Sequence, residues 1–339
     1  MRLPSIIAAP MAGGGSTPAL VAAVNEGGGL GFLAAGYKGA ELLGEQIAET
    51  RKLTDRPFGV NLFVPGEPSD PSVVAAYRDV LRPEAARHGV ALPELTGPDR
   101  DGWEEKTALL LADPVPVLSY TLGLPGAAEA AAFRAAGSYQ VATVTTVAEA
   151  RAAAALGMDA LCVQGPEAGG HRGTHRADAE PGTTALPELL REIAAVGLPM
   201  IAAGGLADGP SLAAVRRAGA VAAQIGTAYL LADESGANAP YRRALAEHPG
   251  PTTVTRAFTG RPARALRNAF VDRYGPQAPV GYPEVHHLTA PLRAAATARG
   301  DAEAMHLWAG TAHRLARPGR AADLTREFVA AFEAAGGTV

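Results

Sequence analysis

The chain has 339 residues, 47% of them hydrophobic and 19% charged, with 40 glycines and a formal net charge of -4. That balance buries a large core with many tight turns, excludes a disordered or fibrous chain, and leaves no basic surface for nucleic acid or an anionic membrane. The single cysteine, Cys162, excludes an internal disulfide; without a signal-peptide-like start or an uninterrupted apolar run of about 18 residues, a cytoplasmic protein with no membrane span is expected.

Eight short apolar runs follow in order: Ile6 to Pro10, Leu30 to Ala34, Phe58 to Phe63, Val115 to Tyr120, Tyr139 to Val144, Ala160 to Gln164, Pro199 to Ala203 and Val221 to Ile225. They are nearly continuously apolar, as parallel strands covered on both faces should be. Alanine-rich helical stretches separate them. Ser16-Thr17-Pro18 supplies a cap with proline in the first turn, and Thr146-Val147-Ala148-Glu149 has capping-box spacing. Three helices stop at Gly27, Gly157 and Gly219, where glycine would take the left-handed cap conformation. Eight strand-helix units predict an α/β fold, a closed (β/α)8 TIM barrel, over an open doubly wound sheet.

Two regions break the repeat. Pro65 to Asp113 is too long for one crossover and should carry extra helices, one of them amphipathic around Trp103 to Leu111. Residues 1–232 are assigned to the barrel, 233–300 to a smaller subdomain over its mouth, and 301–339 to C-terminal helices packing on the barrel.

In such a barrel the loops after the strands build the site, and phosphate is commonly held after strands seven and eight. Those loops read Ala203-Gly204-Gly205-Leu206-Ala207-Asp208 and Gln224-Ile225-Gly226-Thr227. Their glycines let backbone N–H groups face an anion, and each loop is expected to lead into a helix whose dipole favours negative charge. The glycines of Gly29-Leu30-Gly31-Phe32-Leu33-Ala34 precede a strand, the wrong order for a dinucleotide fingerprint. Asn61, Ser119, Tyr120, Thr143, Thr145 and Gln164 add polar groups at strand ends. Buried amides need partners, so Asn61 and Gln164 should meet either a flavin ring or one another's neighbours inside the barrel. No metal-ligand spacing occurs at these ends, and of the three lysines only Lys38 lies near one, which disfavours metal chemistry and a Schiff-base aldolase. After the sixth run comes Gln164-Gly165-Pro166-Glu167-Ala168-Gly169-Gly170-His171-Arg172-Gly173, whose glycine pair permits close backbone approach beside a histidine able to exchange a proton.

These segments, with Ala9-Pro10-Met11-Ala12-Gly13-Gly14, Gly59-Val60-Asn61-Leu62-Phe63 and Phe258-Thr259-Gly260-Arg261-Pro262-Ala263-Arg264, resemble the FMN-dependent nitronate monooxygenases, formerly called 2-nitropropane dioxygenases. The resemblance implies FMN as cofactor, held by Pro10, Met11, Ala12, Asn61, Gln164, Gly169, Gly170, Gly204, Gly205, Gln224, Ile225, Gly226 and Thr227, with His171 as the catalytic residue. It also implies oxidation of alkyl nitronates, propionate 3-nitronate and nitroalkanes among the candidates, with O2 to a carbonyl compound and nitrite. His171 would remove the α proton of a neutral nitroalkane; for a preformed nitronate it would donate a hydrogen bond or carry positive charge, with an ionisation near 6.5. An NAD(P)H-dependent flavin reductase of an enoyl thioester or quinone, and a non-catalytic phosphate-ligand barrel, remain open, as does a homodimer. Tyr120, His175, Tyr282, His286 and His287 depart from the family pattern and have no assigned role.

Overall fold

The computed structural model describes residues 1–94, 97 and 99–336. Each of the eight apolar runs forms a strand: β1 (Ile6–Ala8), β2 (Phe32–Ala34), β3 (Gly59–Phe63), β4 (Val117–Thr121), β5 (Tyr139–Val144), β6 (Ala160–Gln164), then, after a two-residue strand β7 (Gly170–His171), β8 (Met200–Ala203) and β9 (Ala222–Ile225). The eight long strands pair in parallel in the order β1-β9-β8-β6-β5-β4-β3-β2. The ring closes between β1 and the start of β2, where Ile7 bridges Leu30 and the Ala8 N–H donates to the Leu30 carbonyl at 3.0 Å. This is the α/β barrel that the continuous apolar runs predict.

Strand parity sorts the side chains. Along β3, Val60 and Leu62 face the surrounding helices, while Asn61 and Phe63 line the cavity at the barrel mouth. Ile7, Phe32, Val117, Val141, Cys162 and Ile201 fill the interior below it. The same rule corrects Tyr120: it faces outward into the helix layer, its hydroxyl donating to Gln140 Oε1 at 2.9 Å, and Thr121 takes the inward place beside it. Lys38 also turns away, its ammonium on Gln46 Oε1 at 2.6 Å.

Caps fall near the expected places. Thr17 Oγ1 accepts from Leu20 N at 2.9 Å and Thr146 Oγ1 from Glu149 N at 3.2 Å. The Glu149 carboxylate closes on Thr145 N, one residue earlier than a capping box requires. Gly157 and Gly219 are left-handed, at φ +78° and +99°, but Gly27 stays right-handed and Gly28 makes the turn at φ +89°.

The insertion after β3 carries two helices, Pro71–His88 and Trp103–Ala112. Beyond β9, β10 (Thr252–Thr255) and β11 (Ala263–Leu266) form an antiparallel sheet with β7, so the loop after β6 is tied to a segment far along the chain. A second apolar core joins Tyr77 and Leu81 of helix Pro71–His88 to Phe258 and Phe270, to Leu288 and Leu292 of helix Glu284–Arg299, and to Met305 and Leu307. The layer over the mouth therefore draws on three separate stretches, not on 233–300 alone. Among the described residues of the tail, the one α-helix is Ala321–Ala334, which packs beside helices Pro18–Glu26 and Gly209–Arg217. Apart from a 3-10 turn at His313–Leu315, residues 302–320 are irregular, because they fill the mouth and do not cover the barrel wall. Among the described residues, no helix is long and apolar enough to cross a membrane, and no cluster of three metal-ligating side chains occurs.

Candidate active site

A cavity of about 220 Å³ opens at the carboxyl ends of the strands. Pro10, Met11 and Ala12 form one wall, in a turn held by Met11 N donating to Ser16 Oγ at 2.9 Å. Asn61, Gln164 and Gln224 line the floor with Thr121, Thr143 and Cys162, whose thiol burial pushes up to about 12. Gly169, Gly170, Gly204, Gly205, Gly226 and Thr227 line the rest, with His171 among them. Of the residues expected to hold the cofactor, Ile225 alone does not line this cavity. Its side chain is buried in the helix-facing core, and its carbonyl accepts from Ala9 N at 2.8 Å.

The glycine loops form a ring of free donors. Gly204 and Gly205 have φ of +125° and +67°, and among the described residues the N–H groups of Gly204, Gly205 and Gly226 have no partner. Convergent unpaired backbone donors favour an anion. The helix dipoles expected behind them are weaker than the sequence implies. Helix Gly209–Arg217 is already capped by Asp208, which accepts from Ser211 N at 2.9 Å, and Thr227–Leu231 is only a 3-10 turn. Thr227 Oγ1 instead accepts from Gly310 N at 3.0 Å, closing the tail over this end.

The two strand-end amides differ. Asn61 Nδ2 donates to Ser119 Oγ at 2.8 Å and Thr121 Oγ1 at 2.9 Å, and no donor among the described residues reaches its Oδ1. Gln164 is committed to the loop: Nε2 donates to the His171 carbonyl at 3.0 Å and Oε1 accepts from Gly173 N at 2.8 Å. It braces the histidine, a role that a residue's identity on a strand does not disclose. Thr145 is bound to Glu149 and stands outside the cavity.

His171 is half-buried, its Nε2 3.0 Å from Thr259 Oγ1. The rings of Tyr282 at 5.4 Å, Trp308 at 5.5 Å and Phe63 at 6.3 Å enclose it. Burial, with the Arg261 and Arg293 guanidiniums nearby, pushes its imidazole down to about 3. Burial lowers the two arginines themselves to about 10, which leaves both charged at neutral pH. Their hydrogen bonds go to neutral groups: Arg261 to the Thr174 carbonyl, Arg293 to Thr289 Oγ1 and the His286 carbonyl. His306 also lines the cavity; its Nδ1 has no partner, and burial followed by Arg293 and His171 holds it well below the ordinary range. The site is thus cationic in its fixed charges and neutral in its histidines.

Of the residues without an assigned role, His175 is tied to the Thr143 carbonyl at 3.0 Å, and His287 is on the surface 2.6 Å from Asp99 Oδ2. His286 stacks on Tyr37 at 3.9 Å between ring centroids, and Tyr282 donates to the Tyr37 hydroxyl at 3.2 Å. Tyr37, Phe63, His306 and Trp308 were not anticipated as lining residues. Parity marks Phe63 once Asn61 is placed; nothing local marks the other three.

The nitronate monooxygenase family model matches residues 2–331. A nitronate monooxygenase of Pseudomonas aeruginosa is 42% identical, with 96% of this chain and 95% of that protein covered. One of Paraburkholderia phytofirmans is 40% identical over 95% of this chain and 90% of its own length. Among solved structures, a nitroalkane oxidase from Streptomyces ansochromogenes superposes with a TM-score of 0.94 at 49% identity, covering 98% of this chain and 96% of that one. With a match spanning nearly every described residue and a barrel of the expected topology, the chain belongs to the nitronate monooxygenase family, a family of flavin-dependent oxidoreductases.

Proposed function

We propose that this enzyme oxidises alkyl nitronates and their parent nitroalkanes with O2, using FMN, to a carbonyl compound and nitrite. The observation that carries the reading is His171 beside two buried guanidiniums that make no ion pair among the described residues, at a cavity rimmed by free backbone donors. An anion beside His171 is favoured by their field, and a cation is not.

FMN fits the residues present. The unpaired N–H groups of Gly204, Gly205 and Gly226 suit its phosphate, and the open Oδ1 of Asn61 suits a ring donor. Bound there, the flavin would supply the electron acceptor for the substrate and the donor to O2. His171 takes the α proton of a neutral nitroalkane, and Arg261 and Arg293 stabilise the nitronate charge that this leaves. For a preformed nitronate the arginines, not a protonated histidine, supply the positive charge. This replaces the expectation of an imidazolium with an ionisation near 6.5. The free, buried thiol of Cys162 suits a reducing cytoplasm.

The test is an anaerobic reduction of the purified protein. It should be yellow, and ethylnitronate should bleach it rapidly while NADH does not. Bleaching by NADH with no response to nitronates would assign a reductase; protein that neither carries nor binds FMN would remove the flavin altogether.

A further inference from the structure

His171 is gripped at one ring nitrogen only, and the grip selects which nitrogen does chemistry. Nε2 lies 3.0 Å from Thr259 Oγ1, and that hydroxyl is in turn 3.3 Å from the Arg261 carbonyl. A hydroxyl has one proton to give. The carbonyl can only accept, and among the described residues no other donor reaches it; Arg261 is 2% exposed. Giving the hydroxyl proton to Nε2 instead would leave a buried carbonyl unpaired, which is unfavourable. The hydroxyl therefore donates to the carbonyl and accepts from Nε2–H. A neutral imidazole protonated on Nε2 bears its lone pair on Nδ1, which has no partner among the described residues and is not sealed from the cavity that His171 lines.

We infer that Thr259 is a positioning residue that fixes the Nε2–H tautomer of His171, making Nδ1 the atom that takes the substrate's α proton. In that step the Cα–H bond breaks, an Nδ1–H bond forms, and the electron pair passes into the nitro group to give the nitronate. The inference rests on the base role given to His171 under the proposed function.

The threonine is rigidly held. Phe258 before it stacks on Phe270 at 4.6 Å, and Gly260 after it has φ +74° and a backbone so close to Gly281 that a Cβ would lie 2.6 Å from the Gly281 carbonyl carbon. The choice of orienting group is chemically informative. A carboxylate at this place would raise the imidazole's basicity and favour the cation. A hydroxyl backed by a carbonyl sets the tautomer without adding charge, in keeping with a ring whose charged neighbours are Arg261 and Arg293 and which Phe63, Tyr282 and Trp308 enclose.

Two readouts test this. In flavin-loaded protein labelled with 15N-histidine, the wild-type His171 ring should show a protonated Nε2 and an unprotonated Nδ1. Thr259→Val should mix or reverse the two forms, and Thr259→Ser should restore them. In parallel, Thr259→Val should lower kcat/KM for a neutral nitroalkane by roughly tenfold to a hundredfold, leave a preformed nitronate within about threefold, and be rescued by Thr259→Ser. If Thr259→Val does not fold, Thr259→Ala is read the same way. An Nδ1–H tautomer in the wild type, or equal losses on both substrates with no rescue by serine, would overturn the inference. The base reading fails by a different route, through His171→Asn leaving nitroalkane turnover intact while the wild-type His171 resonances still show the Nε2–H form.

Discussion

The depressed imidazole of His171 makes a prediction opposite to that of an ordinary histidine base. With a value near 6.5, a general base is about 97% protonated at pH 5, so kcat/KM would fall about thirtyfold from its plateau. With His171 held down to about 3, about 1% is protonated at pH 5, and the rate should be flat from pH 8 to 5. The assay is anaerobic, single-turnover flavin bleaching by freshly dissolved neutral nitroethane, which separates the proton-removal half-reaction from O2 consumption. The second arm is Arg293→Met. Removing Arg293 lifts the imidazole, but burial, the largest cause of the depression, and Arg261 remain, so the variant's rate should also stay flat down to pH 5. A wild-type limb with its midpoint between pH 6 and 7, absent in His171→Asn, would refute the reasoning: it would mean that the ring is solvated and protonates freely.

Further outcomes follow from other contacts. His171, His286, His306 and His313 are all lowered in the folded state, chiefly by burial. The unfolded chain therefore binds more protons as pH falls below about 6.5, so the stability they confer is full above that value and is lost on acidification; Tm should drop steeply from pH 7 to 5, and a flat Tm would contradict it. Gly169→Ala places a Cβ 2.5 Å from Gly310 N and 2.6 Å from the Ala309 carbonyl carbon, so it should displace the tail from the mouth and lower flavin occupancy, read by absorbance of the purified protein. Asn61→Ala leaves the hydroxyls of Ser119 and Thr121 without their shared donor and should cost roughly 1 to 3 kcal/mol; melts with and without added FMN separate the internal bonds from those to cofactor, since only the latter change the FMN-dependent increment.

The barrel was legible because each strand lies in a short, nearly continuous apolar run, a signal contained within a few adjacent positions. The same locality explains why the loops after β6, β8 and β9 were recognisable as a site. Its boundary shows at Ile225, which belongs to a glycine loop by sequence yet faces the core by parity. Gln164 lines the cavity, but its partners, the backbone of His171 and Gly173, depend on how the loop folds back. The largest omission is electrostatic. Arg261 and Arg293 add to burial in holding His171 neutral, from β11's approach and from helix Glu284–Arg299, and no spacing rule links them to a histidine so far upstream. His306 and Trp308 escaped notice for the same reason, in a segment that the sequence assigns to helices packed on the barrel.

Residues 305–312 close the cavity, and helix Ala321–Ala334 clasps the helix that follows β1. During synthesis, then, every barrel strand leaves the ribosome before the segment that roofs the pocket does. A chain reaching only β9 lacks Gly310 against Thr227 and the rings of Tyr282 and Trp308 beside His171. The pocket is accordingly enclosed only when residues 305–312 have packed over the mouth of a barrel whose strands all precede them.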